Sequence, residues 1–145
     1  MKVLFVFDTK TPFESIQLLQ EMIRDSLSGH VDLTVLDAGS TSVEGYEDLL
    51  KSQDAIIGTD TNLFLARRRM DSSCPILLPS YGMATRGMLQ IWEWREGLQQ
   101  GDAFICSSTA DLAGVATHLR DDQIRLLFAP FPLPEDYSQA DLERL

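Results

Sequence analysis

The chain has 145 residues, 44% of them hydrophobic, and its 12 Lys plus Arg against 22 Asp plus Glu leave a formal charge of −10. That is the length of one domain able to bury roughly 70% of its unfolded surface, and the composition excludes a disordered, collagen-like or disulfide-framework chain. The acidity argues against nucleic acid or anionic lipid as a partner.

Met1-Lys2 leads directly into the first apolar run, residues 3–7, which is too short for a signal sequence and has no small-residue cleavage site after it. No run approaches the roughly 20 apolar residues that span a bilayer, so a cytoplasmic protein without a transmembrane segment is expected. Further short runs rich in Val, Ile, Leu or Phe follow at 33–36, 55–57, 76–78, 103–106 and 124–128. None alternates strictly, which suits strands covered on both faces of a parallel sheet.

Helical periodicity fills the gaps between them. Ile16, Leu19, Met22, Ile23 and Leu27 form one stripe that Gly29 ends, and Leu112, Val115, Ala116 and Leu119 form another. Residues 46–51, 63–70 and 88–98 read as further helices. Thr11-Pro12-Phe13-Glu14 predicts a capping box with proline at the first helical position, and Ser108-Thr109-Ala110-Asp111 predicts a second cap. Strands alternating with helices imply right-handed βαβ units, hence a doubly wound, Rossmann-like three-layer α/β sandwich with a parallel sheet of about six strands over residues 1–130. The prolines of Ala129-Pro130-Phe131-Pro132-Leu133-Pro134 predict a stiff connector, so that 131–145 reads as a linker and the start of a helix leading to a further domain. Cys74 and Cys106 fall at opposite ends of their strands, about 15 Å apart, too far for a disulfide.

Ligands of open parallel sheets bind outside the carboxyl ends of the strands, near the point where strand order reverses. That selects Asp8, Thr9 and Lys10 after the first strand, Asp60 after the third, Ser80, Tyr81 and Gly82 after the fourth, and Ser107 and Ser108 after the fifth. Asp8 and Lys10 are either ligand contacts or a loop-edge ion pair; Asp60 is either a site residue or a helix cap. Tyr81 has the chemistry to bond a sugar hydroxyl or stack on its ring, and Gly82 to supply a positive φ. No glycine lies between Phe7 and Gly29, Pro12 lacks an N–H, and Glu14 puts a carboxylate in the first turn. A dinucleotide loop and a P-loop are thereby excluded. Arg67-Arg68-Arg69 reads as a solvated helix face, Trp92 and Trp94 as packing, and neither His30 nor His118 has a metal-ligand spacing, so no metal is expected.

Three segments together resemble the N-terminal domain of GT-B glycosyltransferases that use sugar nucleotides: Cys74 to Gly82, Gly101 to Asp111 (aspartate, strand, serine, helix), and Ile124 to Leu133, which leads into an interdomain linker. The resemblance is strong over the second half and loose over the first. It implies an acceptor-side domain, a nucleotide-sugar donor held mostly by an absent second domain, and a cleft faced by Asp8–Lys10, Ser80–Gly82 and Ser107–Ser108. It implies no bound cofactor. The glycine pair that such domains carry after their first strand is missing, and Tyr81 stands in place of their histidine. A phenol with an ordinary pKa near 10 is a poor base at neutral pH, so Tyr81 is assigned orientation rather than proton transfer. The rival expectation is a flavodoxin-like FMN-binding electron carrier, which length, acidity and the segment Asp54 to Thr61 allow and the loop after the first strand opposes.

Overall fold

The computed structural model describes residues 1–80, 97–106, 108–117, 119 and 125–128. Six strands form one sheet: β1 (Lys2–Phe7), β2 (Asp32–Asp37), β3 (Ala55–Ile57), β4 (Ile76–Pro79), β5 (Ala103–Cys106) and β6 (Arg125–Phe128). Every pairing is parallel, in the order β2-β1-β3-β4-β5-β6. The described helices are α1 (Glu14–Leu27), α2 (Val43–Leu50), α3 (Thr61–Met70) and α4 (Thr109–Ala116). The expected doubly wound parallel α/β architecture is therefore present. The anticipated helix at 88–98 lies largely outside the described residues, as do Trp92, Trp94, His118 and the linker at 131–145.

Side-chain alternation along the central strand divides the core. Leu4 and Val6 of β1 pack with Tyr46 and Leu50 of α2, Leu63 and Phe64 of α3, and Val115 of α4. Val3, Phe5 and Phe7 face the other way, onto Ile23 and Leu27 of α1. β1 is buried from Val3 to Phe7, whereas β2, at the sheet edge, exposes Asp32, Thr34 and Val35.

Helix starts follow local chemistry with one correction. Ser42, Asp60 and Ser108 each accept a backbone N–H in the first turn of α2, α3 and α4, so Asp60 is a cap and the Ser108 prediction holds. At α1 the cap residue is Phe13, and no side chain caps it. Pro12 lies before the helix, and Thr11 Oγ1 instead accepts the Phe13 N–H at 3.3 Å. The capping box fails because Thr11 turns into the loop, where it is 7% exposed, rather than onto the helix end.

The arginine run is also corrected. Arg68 and Arg69 are exposed, but Arg67 is fully buried. Its guanidinium grips Asp102 with a fork of 2.6 and 2.7 Å and donates to the carbonyls of Cys74 and Gly97. Asp102 in turn accepts the amides of Ile76 and Gln99, so one ion pair ties α3 to the amino ends of β4 and β5. Arg67 lies three residues after Phe64 and four after Leu63, on the helix stripe that faces the core. Both cysteines are free. Burial, reinforced by the Asp111 charge, pushes the Cys106 thiol up to about 11.

Candidate functional site

The order β2-β1-β3 reverses at β1, so the carboxyl ends of β1 and β3 flank the topological switch point. A cleft of about 370 Å³ opens there, between residues 8–13 and Gly58-Thr59, with the buried side chains of Val6 and Gln20 at its base. Gly58 lets β3 run this close to β1. It adopts φ +145°, and a Cβ on it would lie 2.7 Å from Cβ of Val6.

The loop after β1 is held from beneath by two glutamines one helical turn apart on α1. Gln20 Oε1 accepts the Asp8 N–H at 2.7 Å, and its Nε2 donates to the Asp8 carbonyl at 3.1 Å. The buried amide thus replaces the ladder partner that the strand end lacks. Gln17 Nε2 donates to the Thr11 carbonyl at 2.9 Å. Replacing Gln20 with Ala strands two loop backbone groups and removes the base of the cleft. The expected loss is about 1–3 kcal/mol, read as a lower urea midpoint at unchanged slope.

Asp8 and Lys10 do form a pair, but not an ion pair. The Lys10 amide, rather than its ammonium, donates to Asp8 Oδ1 at 3.0 Å, and both residues line the cleft. Thr9 turns toward β2: its hydroxyl and amide both reach Asp37 Oδ1, at 2.6 and 3.2 Å, and those two bonds hold the Asp37 carboxyl below its ordinary value. Asp60 lies beside Thr59 with its carboxylate engaged three times, by the amides of Asn62 and Gly39 and by the hydroxyl of Tyr46. It is a clasp between β3, α2 and the loop after β2. Burial first, then this bond, pushes the Tyr46 phenol well above its ordinary value, so it stays a donor.

Ser80 and Ser108 belong to a second place on the same edge, at the carboxyl ends of β4 and β5. Ser80 is 3% exposed; its amide donates to the Ile105 carbonyl, and its hydroxyl donates to Asp111 Oδ1 at 2.9 Å. Ser108 is occupied capping α4. Tyr81, Gly82 and Ser107 lie outside the described residues. His30 sits beside the bridge between Ser28 and Val31, at the amino end of β2, away from this edge.

Thr11, Phe13 and Gln20 were missed by sequence reasoning. The two loop residues were read only as helix-cap chemistry, and Gln20 lies on α1 outside the apolar stripe. Among the described residues no cluster of three His, Cys, Asp or Glu is placed to hold a metal ion, and no helix is long and apolar enough to cross a membrane. Asp8 and Lys10 set one carboxylate against one ammonium in the lining of the cleft, beside Thr11 and Thr59, and no glycine run offers amides to a phosphate. The arrangement is suited to accepting hydrogen bonds from hydroxyl groups. Comparison with protein-family models, with curated proteins and with solved structures returns no match.

Proposed function

We propose that this domain is the acceptor-side half of a GT-B glycosyltransferase, which presents a hydroxyl-bearing acceptor to a sugar nucleotide held mainly by a partner domain. The observation carrying the reading is the cleft at the β1–β3 switch point, lined by the Asp8 carboxylate and by Thr11 and Thr59, with no phosphate cradle. A donor diphosphate finds no glycine loop here, whereas an acceptor hydroxyl finds carboxylate and threonine oxygens. Catalysis in such an arrangement rests on holding the acceptor against the donor and stabilising charge as the bond breaks. The β4–β6 segments that resemble this family support the reading, and Ser80 and Ser108 stand on the same edge of the sheet.

The strand order β2-β1-β3-β4-β5 is also that of flavodoxin-like carriers, whose flavin sits at the same switch point, so an FMN site is the second reading. Pro12 and the Glu14 carboxylate at the start of α1 oppose it, since the flavin phosphate needs free amides there. Calorimetry on residues 1–145 separates the two. The expected result is no micromolar heat with either UDP-glucose or FMN, together with millimolar shifts from neutral glycosides at amides of the carboxyl edge in NMR titration. Micromolar FMN binding with a yellow complex overturns the glycosyltransferase reading; micromolar UDP-glucose binding overturns the assignment of the donor to the partner domain.

A further inference from the structure

Phe13 is 58% exposed, far more than the aromatic side chains of the core, and it lines the cleft together with Asp8, Lys10 and Thr59. An exposed phenyl group in a cleft lining offers apolar surface whose removal from water by a ligand's apolar face is favourable. Its backbone is pinned on both sides: the N–H donates to Thr11 Oγ1, and the carbonyl accepts the amides of Ile16 and Gln17. The ring is therefore carried on a fixed stalk, and covering it costs little conformational entropy. On the same loop, and also lining the cleft, Asp8 uses Oδ1 for the Lys10 amide, and no described residue bonds its Oδ2. The Gln20 amide fixes the backbone of Asp8.

We infer that the β1–β3 cleft binds a neutral, hydroxylated six-membered ring, its C–H face against Phe13 and two of its hydroxyls shared by the Asp8 carboxylate, and that it rejects phosphorylated rings. An aromatic face beside a carboxylate matches the two sides of a pyranose, which is apolar along its axial C–H bonds and a hydrogen-bond donor around its rim. Phosphate is disfavoured because the chain carries a net charge of −10, the cleft lining holds Lys10 as its one ammonium beside the Asp8 carboxylate, and Pro12 has no N–H to offer. This rests on the acceptor-side reading and adds which part of the edge holds the ring, and by which residues.

The test is NMR titration of residues 1–145 with methyl glucopyranoside, methyl galactopyranoside, methyl mannopyranoside and the corresponding 6-phosphates. The expected outcome is that at least one neutral pyranoside shifts the amides of residues 8–13 and 58–60, and that its 6-phosphate binds at least tenfold more weakly. Phe13→Ala weakens binding three- to tenfold, Phe13→Trp preserves it, and Asp8→Ala weakens it about tenfold. Phe13 is solvent-facing, so its variants keep the fold, and the wild-type melting profile verifies this. Tighter binding of a 6-phosphate at residues 8–13, or unchanged affinity in Phe13→Ala, overturns the inference. Shifts confined to Ser80 and Ser108 also overturn it while leaving the acceptor-side reading standing. FMN binding in place of any pyranoside removes both.

Discussion

Arg67→Ala is expected to lower stability by about 3–5 kcal/mol, because it leaves the Asp102 carboxylate buried without its counter-charge. For a domain of this size that is a fall in melting midpoint on the order of 10 °C. Both side chains are 1% exposed, so water cannot take the place of the lost partner. The Cys74 and Gly97 carbonyls lose their donor as well. Arg67→Lys recovers only part of the loss, since a single ammonium cannot make the two-pronged contact. Replacing both partners with apolar residues does not restore the parent either: Ile76 and Gln99 would still present amides with no acceptor. Thermal and urea unfolding followed by circular dichroism measure the effect, and a change below 1 kcal/mol in Arg67→Ala refutes this account of the pair. The pair sits at the amino ends of β4 and β5, opposite the cleft, so the folded fraction of the variant is expected to bind ligand like the parent.

Gly58→Ala is expected to damage both fold and cleft. The new Cβ would stand 2.7 Å from Cβ of Val6 and 2.9 Å from its carbonyl oxygen, in a backbone conformation at φ +145° that side chains rarely adopt. Overpacking of this kind costs about 1–3 kcal/mol and the backbone strain adds a similar amount. β1 and β3 are adjacent, paired from Val3 with Ala55 to Phe5 with Ile57, so the clash is relieved only by parting the two strands where the cleft opens. The variant should therefore lose stability and ligand binding together, unlike Arg67→Ala, which separates them. Chemical-shift changes that stop at residues 57–59, with a melting midpoint equal to that of the parent, would contradict this description of the switch point.

Much of the fold was legible in the chain. The strands β3 and β5 fall where the apolar runs placed them, and the others differ by a residue or two at their ends. The Ser108 cap and the end of α1 before Gly29 were equally readable, because a cap is chemistry between residues three apart. The two errors have different causes. Thr11 was assigned to the helix end when its hydroxyl serves the loop, and Arg67 was placed in solvent when it lies in the core. Thr11 found a partner two residues away in the loop instead of at the helix end, whereas Arg67 was taken by a group from elsewhere in the fold. Arg67 did carry a clue, its position on the stripe of Leu63 and Phe64, but a charge on that stripe is tolerable only because Asp102 arrives from 35 positions away.

The site divides in the same way. Asp8 and Lys10 were selected by the rule that ligands gather at strand carboxyl ends, which needs only the strand pattern. Gln20 became part of the site when α1 folded back onto β1, and Thr9 and Asp60 turned to Asp37 and Tyr46 once those neighbours were in place. By itself the sequence determined the alternation of strands and helices, their parallel sense and the edge of the sheet that carries hydroxyls and carboxylates, since apolar periodicity and local caps act over a few residues. Only the tertiary structure decided the strand order, the cleft between β1 and β3, and which polar groups are consumed as internal bonds, because those depend on partners the chain brings together from 12 to 35 positions apart.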